Sequence, residues 1–189
     1  MIYETVLLSV FLLSVFLYYP LNARKSKYFF ETPFDHFIPL LPCFVISYLA
    51  FFPFVAGTVI FSLGKVIFTE LLMALIIANI TAAIFWYFIP NGMRRPYLKG
   101  KDLFTKLLKW VYKHDNVTNA FPSGHVYYSL ICGFYLWQSL SQIGWLFFAF
   151  GGLIAISTVF VKQHWVGDIG GGMLWTIGAI FVAKMIVGG

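Results

Sequence analysis

The chain has 189 residues, of which 60% are hydrophobic and 21% aromatic but only 11% charged, and its mean hydropathy is +0.84. That leaves too little polar surface to coat a water-soluble globule, so the composition indicates an integral membrane protein. The formal net charge of +6 comes mainly from two connecting loops, which suits contact with the anionic head groups of a lipid bilayer and not a nucleic-acid surface.

At about 20 apolar residues per crossing, the length fits roughly six spanning helices and a single domain over residues 1–189. Residues 2–19 read as the first span, ended by Pro20. Glu4 stands where a signal peptide carries basic residues and no small-residue cleavage pattern follows, so a retained helix is expected. Arg24, Lys25 and Lys27 mark the first loop. A second span over 35–54, apolar on to Leu63, is bent by Pro39, Pro42 and Pro53. Residues 71–89 make a third span without formal charge, stopped by Pro90-Asn91-Gly92.

The one long connection, 91–121, carries seven cations from Arg94 to Lys113. Within it Leu103, Phe104, Leu107, Leu108 and Val111 recur at helical spacing while Lys106, Lys109 and Lys113 take the other face. An interfacial amphipathic helix over 102–113, lying on the head groups, is the reading; a solvated basic loop is its alternative. Spans four, five and six follow at 122–140, 144–161 and 165–186. In the last, Gly170, Gly171, Gly172 and Gly178 either admit a close neighbouring helix or are merely tolerated. The expected fold is thus an all-α six-helix transmembrane bundle with a short interfacial helix. Cys43 and Cys132 lie in apolar stretches and offer neither a disulfide framework nor a metal quartet.

Chemistry concentrates between residues 119 and 168. Asn119-Ala120-Phe121-Pro122-Ser123-Gly124-His125 opens one apolar segment, and Ser157-Thr158 with Lys162-Gln163-His164-Trp165-Val166-Gly167-Asp168 closes the next. The residues between form a helical hairpin, so His125 and His164 return to one membrane face. Ionisable residues at membrane helices are expensive and call for a reason. His164 and Asp168, four apart, share a helix face, where the carboxylate can fix the imidazole tautomer and stabilise positive charge on the ring. Such an imidazole is a nucleophile or a base. Pro122 suits a first helical turn, and the free amides beyond it, with the Ser123 hydroxyl and the open flank of Gly124, make an anion cradle for phosphate. His36 and His114 lack partner motifs and read equally well as interfacial polar residues. Aspartates and histidines that could ligate a metal are already committed, so neither a metal nor another cofactor is expected.

Pro-Ser-Gly-His, the distant Ser-x6-His-x3-Asp and the upstream Arg95-Pro96 together resemble the type 2 phosphatidic acid phosphatase (PAP2) superfamily of membrane lipid phosphatases. Lys-Gln-His before Asp168, and Asp-Asn-x2-Asn-x-Phe-Pro-Ser before His125, are most similar to its inositol phosphorylceramide synthase-like branch. The likeness covers about residues 34–175. It implies that His164 attacks phosphorus and becomes phosphohistidine, that His125 protonates the leaving group, and that Arg95 holds phosphate oxygens through its guanidinium fork. Two cations of the commoner family pattern are absent, since Phe88 stands seven residues before Arg95 and Thr158 follows Ser157. Arg94, Lys99, Lys101 and Lys162 are the replacement candidates, Lys162 foremost.

The resemblance leaves three activities open. One is a metal-independent phosphatase acting on a lipid phosphate monoester or diphosphate. Another is a phosphotransferase moving a phosphoalcohol head group to a lipid hydroxyl, and the third is a non-catalytic binder of lipid phosphates. Sidedness is contested as well. Arg24, Lys25, Lys27, Lys99, Lys101, Lys106, Lys109 and Lys113 fall on the catalytic side against Lys65 and Lys184 opposite, which by the positive-inside rule makes that side cytoplasmic. Most relatives of the resembled family work on the outer or lumenal leaflet, and the extracytoplasmic face is the expectation adopted.

Overall fold

A computed structural model describes residues 2–188. Among them there is no extended strand, only isolated bridges pairing Tyr28 with Asn91 and Gly92 with Thr118. The α-helices are α1 (Ile2–Phe16), α2 (Tyr18–Asn22), α3 (Val45–Leu49), α4 (Phe51–Ser62), α5 (Ile67–Phe88), α6 (Leu103–His114), α7 (Gly124–Ser139), α8 (Gly144–Phe160) and α9 (Val166–Gly188). Four helical stretches are long and apolar enough to cross a membrane: Ile2–Asn22, Pro42–Ser62, Ile67–Phe88 and Val166–Gly188. The remaining two of the expected six are shorter, 16 residues in α7 and 17 in α8. At 1.5 Å per residue each reaches only about 25 Å, less than the roughly 30 Å hydrocarbon layer.

Two prolines act differently from the sequence expectation, and by one rule. Pro20 does not end the first span; α1 stops at Phe16, and α2 carries the chain through Pro20 to Asn22. Likewise α3 stops at Leu49 and α4 continues through Pro53. In each case the break falls four residues before the proline, at the carbonyl its missing N–H leaves unbonded, and the proline sits in the first turn of the next helix, where no N–H is needed. The second span also begins later than expected. Asp35 lies in a 3-10 turn, Pro33–His36, whose capping box is closed by Thr32, and the spanning stretch starts at Pro42.

Packing centres on α5, where Leu71, Leu72, Ala74, Leu75, Ala78 and Ala82 are fully buried against α1, α7 and α9. A polar thread ties three of these helices: Asn79 Nδ2 donates to Ser14 Oγ at 2.8 Å, and Tyr127 Oη donates to Asn79 Oδ1 at 3.1 Å. Without water to compete, such side-chain bonds fix helix register. Small residues set the spacings. A Cβ on Gly133 would stand 2.9 Å from Phe148 Cα, and one on Gly151 would stand 2.5 Å from the Ser129 carbonyl oxygen, so α7 and α8 meet backbone to backbone. Of the glycines expected to admit a neighbour in α9, Gly171 and Gly172 do so against Phe121 and Val126, while Gly170 and Gly178 face open space.

Three connections gather at one end of the bundle. Lys27 and Tyr28 amides donate to the Pro90 carbonyl, at 2.7 and 3.1 Å, and Asn116 Nδ2 donates to the Asn22 carbonyl at 3.0 Å. Above them lies α6, capped by Asp102, whose carboxylate accepts from the Thr105 amide and hydroxyl and is held below the usual carboxylate range by those bonds. Its apolar residues divide. Leu108 and Val111 pack on Val45, Tyr48, Leu98 and Val161, whereas Leu103, Phe104 and Trp110 stay exposed alongside Lys106, Lys109 and Lys113. The expected amphipathic helix is present, with one apolar face docked on protein and another left outward.

Candidate functional site

Helix α8 ends in a Schellman motif: the Lys162 amide donates to the Val159 carbonyl at 3.2 Å and the Gln163 amide to the Thr158 carbonyl at 2.9 Å. Lys162 itself takes the left-handed position usual for glycine, with φ of 53°, at a cost of about 1 kcal/mol for a residue bearing a Cβ. This turn swings His164 back over the hairpin before α9 begins. Asp168, fully buried, receives the Trp165 amide on Oδ2 at 2.8 Å, and the same oxygen lies 3.3 Å from His164 Nδ1. With its proton on Nδ1 the imidazole presents Nε2 as a free lone pair.

His125 enters from the first turn of α7. The Ser123 amide donates to the Asp168 main-chain carbonyl at 3.2 Å, which ties the starts of α7 and α9 together. The two imidazole centroids are 6.0 Å apart. First-turn amides of α7 have no intrahelical acceptor, and a Cβ on Gly124 would touch nothing closer than Tyr127 Oη at 3.8 Å. Protein packing therefore leaves the flank of Gly124 open. Several polar atoms in this neighbourhood are buried without a protein partner: Ser123 Oγ, His125 Nε2, Gln163 Nε2, Asp168 Oδ1 and Arg95 Nε. Orphans of this kind are costly singly, and a cluster of them marks a place where a ligand, ion or water completes the bonding.

Arg95 is nearly buried and held by its terminal nitrogens. Nη1 donates to the Tyr112 and Asp115 carbonyls at 3.2 and 2.7 Å; Nη2 donates to the Asn116 carbonyl at 2.8 Å and to Gln163 Oε1. A guanidinium only donates, so the Gln163 amide oxygen must face it and the NH2 group must turn away. Asp115, in turn, binds Tyr18 and Asn22 at 2.8 and 3.0 Å. Burial raises the Tyr112 phenol far above its ordinary value against the pull of Arg95, and its hydroxyl donates to the Val161 carbonyl at 2.7 Å.

The two foremost replacement cations point elsewhere. Lys162 Nζ donates to the Asp35 and Ile38 carbonyls at 3.1 and 2.7 Å, and burial lowers its pKa against the opposing pull of Asp35 and Glu31. Arg94, with 71% of its side chain exposed, pairs with Glu31 at 3.9 Å and covers the Phe29 ring. Thr158 is buried with its hydroxyl returned to the Ala155 carbonyl, and Phe88 is exposed. Sequence reasoning missed Asp35, whose Oδ1 accepts the Val166 amide at 2.7 Å. Tyr48 and Phe51, whose rings flank His125, were missed as well. Two hollows border these residues: a cleft whose lining includes Arg24, Lys25, Arg95, Asp115 and Asn116 beside Phe29 and Tyr112, and an apolar groove lined by Phe29, Phe30, Phe85, Phe121 and Gly167.

Residues 95–188 match the family model of the PAP2 superfamily. The PAP2 match takes in Arg95, Ser123, His125, His164 and Asp168 and points to phosphatase or phosphotransferase chemistry on phosphate esters. It covers just under half of the chain; helices α1 to α5 lie outside it. No curated protein and no solved structure matches the chain.

Proposed function

We propose that the chain is a membrane lipid phosphatase that cleaves a lipid phosphate monoester or diphosphate through a phosphohistidine on His164. The observation that carries this reading is the His164–Asp168 pair, at 3.3 Å, facing a second imidazole whose centroid is 6.0 Å away. His164 Nε2 attacks phosphorus as the bond to the leaving oxygen breaks, and the electron pair departs with that oxygen. Asp168 holds the Nδ1 proton and compensates the charge on the ring. His125 gives its proton to the leaving oxygen, then takes one from the water that attacks phosphohistidine and releases phosphate. Ser123, the first-turn amides at Gly124 and the orphaned donors of Arg95 and Gln163 surround the phosphoryl oxygens. The substrate's two ends suit the cleft bearing Arg24, Lys25 and Arg95 and the apolar groove beside the site.

A lipid hydroxyl in place of water would make the same intermediate a phosphotransfer, the activity of the inositol phosphorylceramide synthase-like branch. In the membrane arrangement proposed, α7 and α8 complete six crossings, both termini lie opposite the site, and the site faces away from the cytoplasm. A reporter active only in the cytoplasm, fused after Gly189, should work; a silent reporter on correctly inserted protein would overturn the outward orientation.

The activity is tested with purified protein in detergent, lipid phosphates of several head groups, and alcohol acceptors present or absent. Release of inorganic phosphate, with acid-labile phosphate trapped on His164 and activity persisting in excess chelator, is the expected outcome. Transfer that requires the alcohol would select the synthase-like activity. Binding without turnover or phosphoenzyme would sink both and leave a lipid-phosphate-binding protein.

A further inference from the structure

His125 lacks what His164 has. No hydrogen bond reaches its buried Nε2, yet a proton donor must hold one ring plane while the leaving oxygen departs. What does hold it is aromatic. The Tyr48 ring is stacked on the imidazole at 4.3 Å and 25°, and the Phe51 ring lies 4.3 Å away at 43°. These two residues are three apart across the break at Ala50, so the helix interruption imposed by Pro53 places both rings on the same histidine. Tyr48 is itself immobilised, buried among Val45, Leu98, Leu108 and Val161, and Phe51 braces Tyr128 edge-on, with ring centroids 5.7 Å apart.

We infer that Tyr48 and Phe51, both outside the PAP2-matched residues, are positioning residues that hold the His125 imidazole in the plane from which it protonates the leaving oxygen. Stacked rings suit that task chemically. Their faces attract an imidazolium, and they offer no acceptor strong enough to divert the proton from the substrate. A carboxylate there would hold the proton back.

This inference rests on the phosphatase reading, and the test separates the two. Wild type, Tyr48→Phe, Tyr48→Leu and Phe51→Leu are assayed for kcat and KM on an alkyl phosphate lipid and on 4-nitrophenyl phosphate. The alkoxide needs a proton to leave, whereas the nitrophenolate does not. Tyr48→Leu and Phe51→Leu should lower kcat/KM on the lipid by about 10–100-fold, part of the 10²–10⁴-fold that general acid catalysis supplies, while kcat/KM on the aryl ester, which ends at nitrophenolate release and excludes the later hydrolysis of phosphohistidine, stays near the wild-type value. Tyr48→Phe, which keeps the ring, should match wild type on both. Equal losses on the two substrates, as from a misfolded site, would overturn the positioning role, and so would no loss in either leucine variant. Damage by Tyr48→Phe as large as by Tyr48→Leu would overturn it too, by assigning the effect to the hydroxyl. If wild type turned over neither ester, the phosphatase reading would fail and take this inference with it.

Discussion

The two histidines occupy opposite kinds of surroundings within 6.0 Å of each other. His164 is buttressed by a fully buried carboxylate at the start of α9, within a web of main-chain bonds. His125 rests between aromatic rings, its Nε2 without a partner. The contrast follows from the chemistry each is proposed to perform. A nucleophile gains positive charge in the reaction and profits from a fixed anion, whereas a proton donor profits from orientation without competition for its proton.

The harshest way to break the comparison is His164→Ala. It should reduce turnover by on the order of 10⁴-fold or more, as loss of a nucleophilic residue does elsewhere, and leave no phosphoenzyme in a rapid-quench experiment. Asp168→Asn should cost about 10²–10⁴-fold and slow phosphoenzyme formation on every substrate. By contrast, His125→Ala should cost about as much in kcat/KM on alkyl esters but little in kcat/KM on aryl ones, whose leaving group needs no proton. If these two variants had the same leaving-group profile, the division of labour drawn here would be wrong.

Gly172→Ala sharpens the comparison by moving the two histidines apart. The new methyl would lie 2.6 Å from Val126 Cβ and 3.0 Å from the Ser123 carbonyl oxygen, and overpacking of this kind costs about 1–3 kcal/mol. Thermal unfolding in detergent and kcat should both fall, while Gly170→Ala, in open space, should change neither. Asp35→Ala should loosen only the His164 side. It removes the acceptor for the Val166 amide, a partly buried bond to a carboxylate worth about 1–3 kcal/mol, and hydrogen exchange at the start of α9 should quicken before that of α7. The smallest effect is at α6. The Thr105 bonds depress the Asp102 pKa, so the cap stabilises the helix above the ordinary aspartate range and is lost as pH falls through the lowered value. Exchange of the first α6 amides should therefore rise with acidification relative to an Asp102→Ala protein, with turnover at neutral pH intact.

Much of the His164 surroundings was legible because it is local. An i, i+4 His–Asp pair is encoded in spacing alone; Pro122, by contrast, was expected in the first turn of α7 and stands one residue before its Ser123 cap. The His125 surroundings were not, because their determinants come from a distant span. In a chain with 22 Phe and 11 Tyr, two more aromatics in an apolar run carry no signal until the fold brings them to an imidazole. Charge at Lys162 was legible, but its direction was not; that depends on a left-handed turn and on carbonyls of the 35–38 segment. Asp35 was assigned to a span because apolar residues surround it, although its box with Thr32 is a local Thr-x-x-Asp spacing; only its bond to the Val166 amide appears in three dimensions alone. Both proline breaks were foreseeable in kind, though not in place, since the lost bond belongs to the carbonyl four residues earlier.

The bond from the Ser123 amide to the Asp168 carbonyl has an electrostatic consequence. It brings the N-terminal ends of two long helices, α7 and α9, to one spot, and each end carries about half a positive charge from its aligned peptide dipoles. Under the proposed function, that field would supply to a phosphate part of the attraction that cations at positions 88 and 158, occupied here by Phe88 and Thr158, would otherwise give. A field of that origin does not titrate and does not depend on any single side chain. Because its sources are buried within a few ångströms of the site, well inside the roughly 8 Å screening length at physiological salt, retention of a phosphate dianion should depend only weakly on ionic strength.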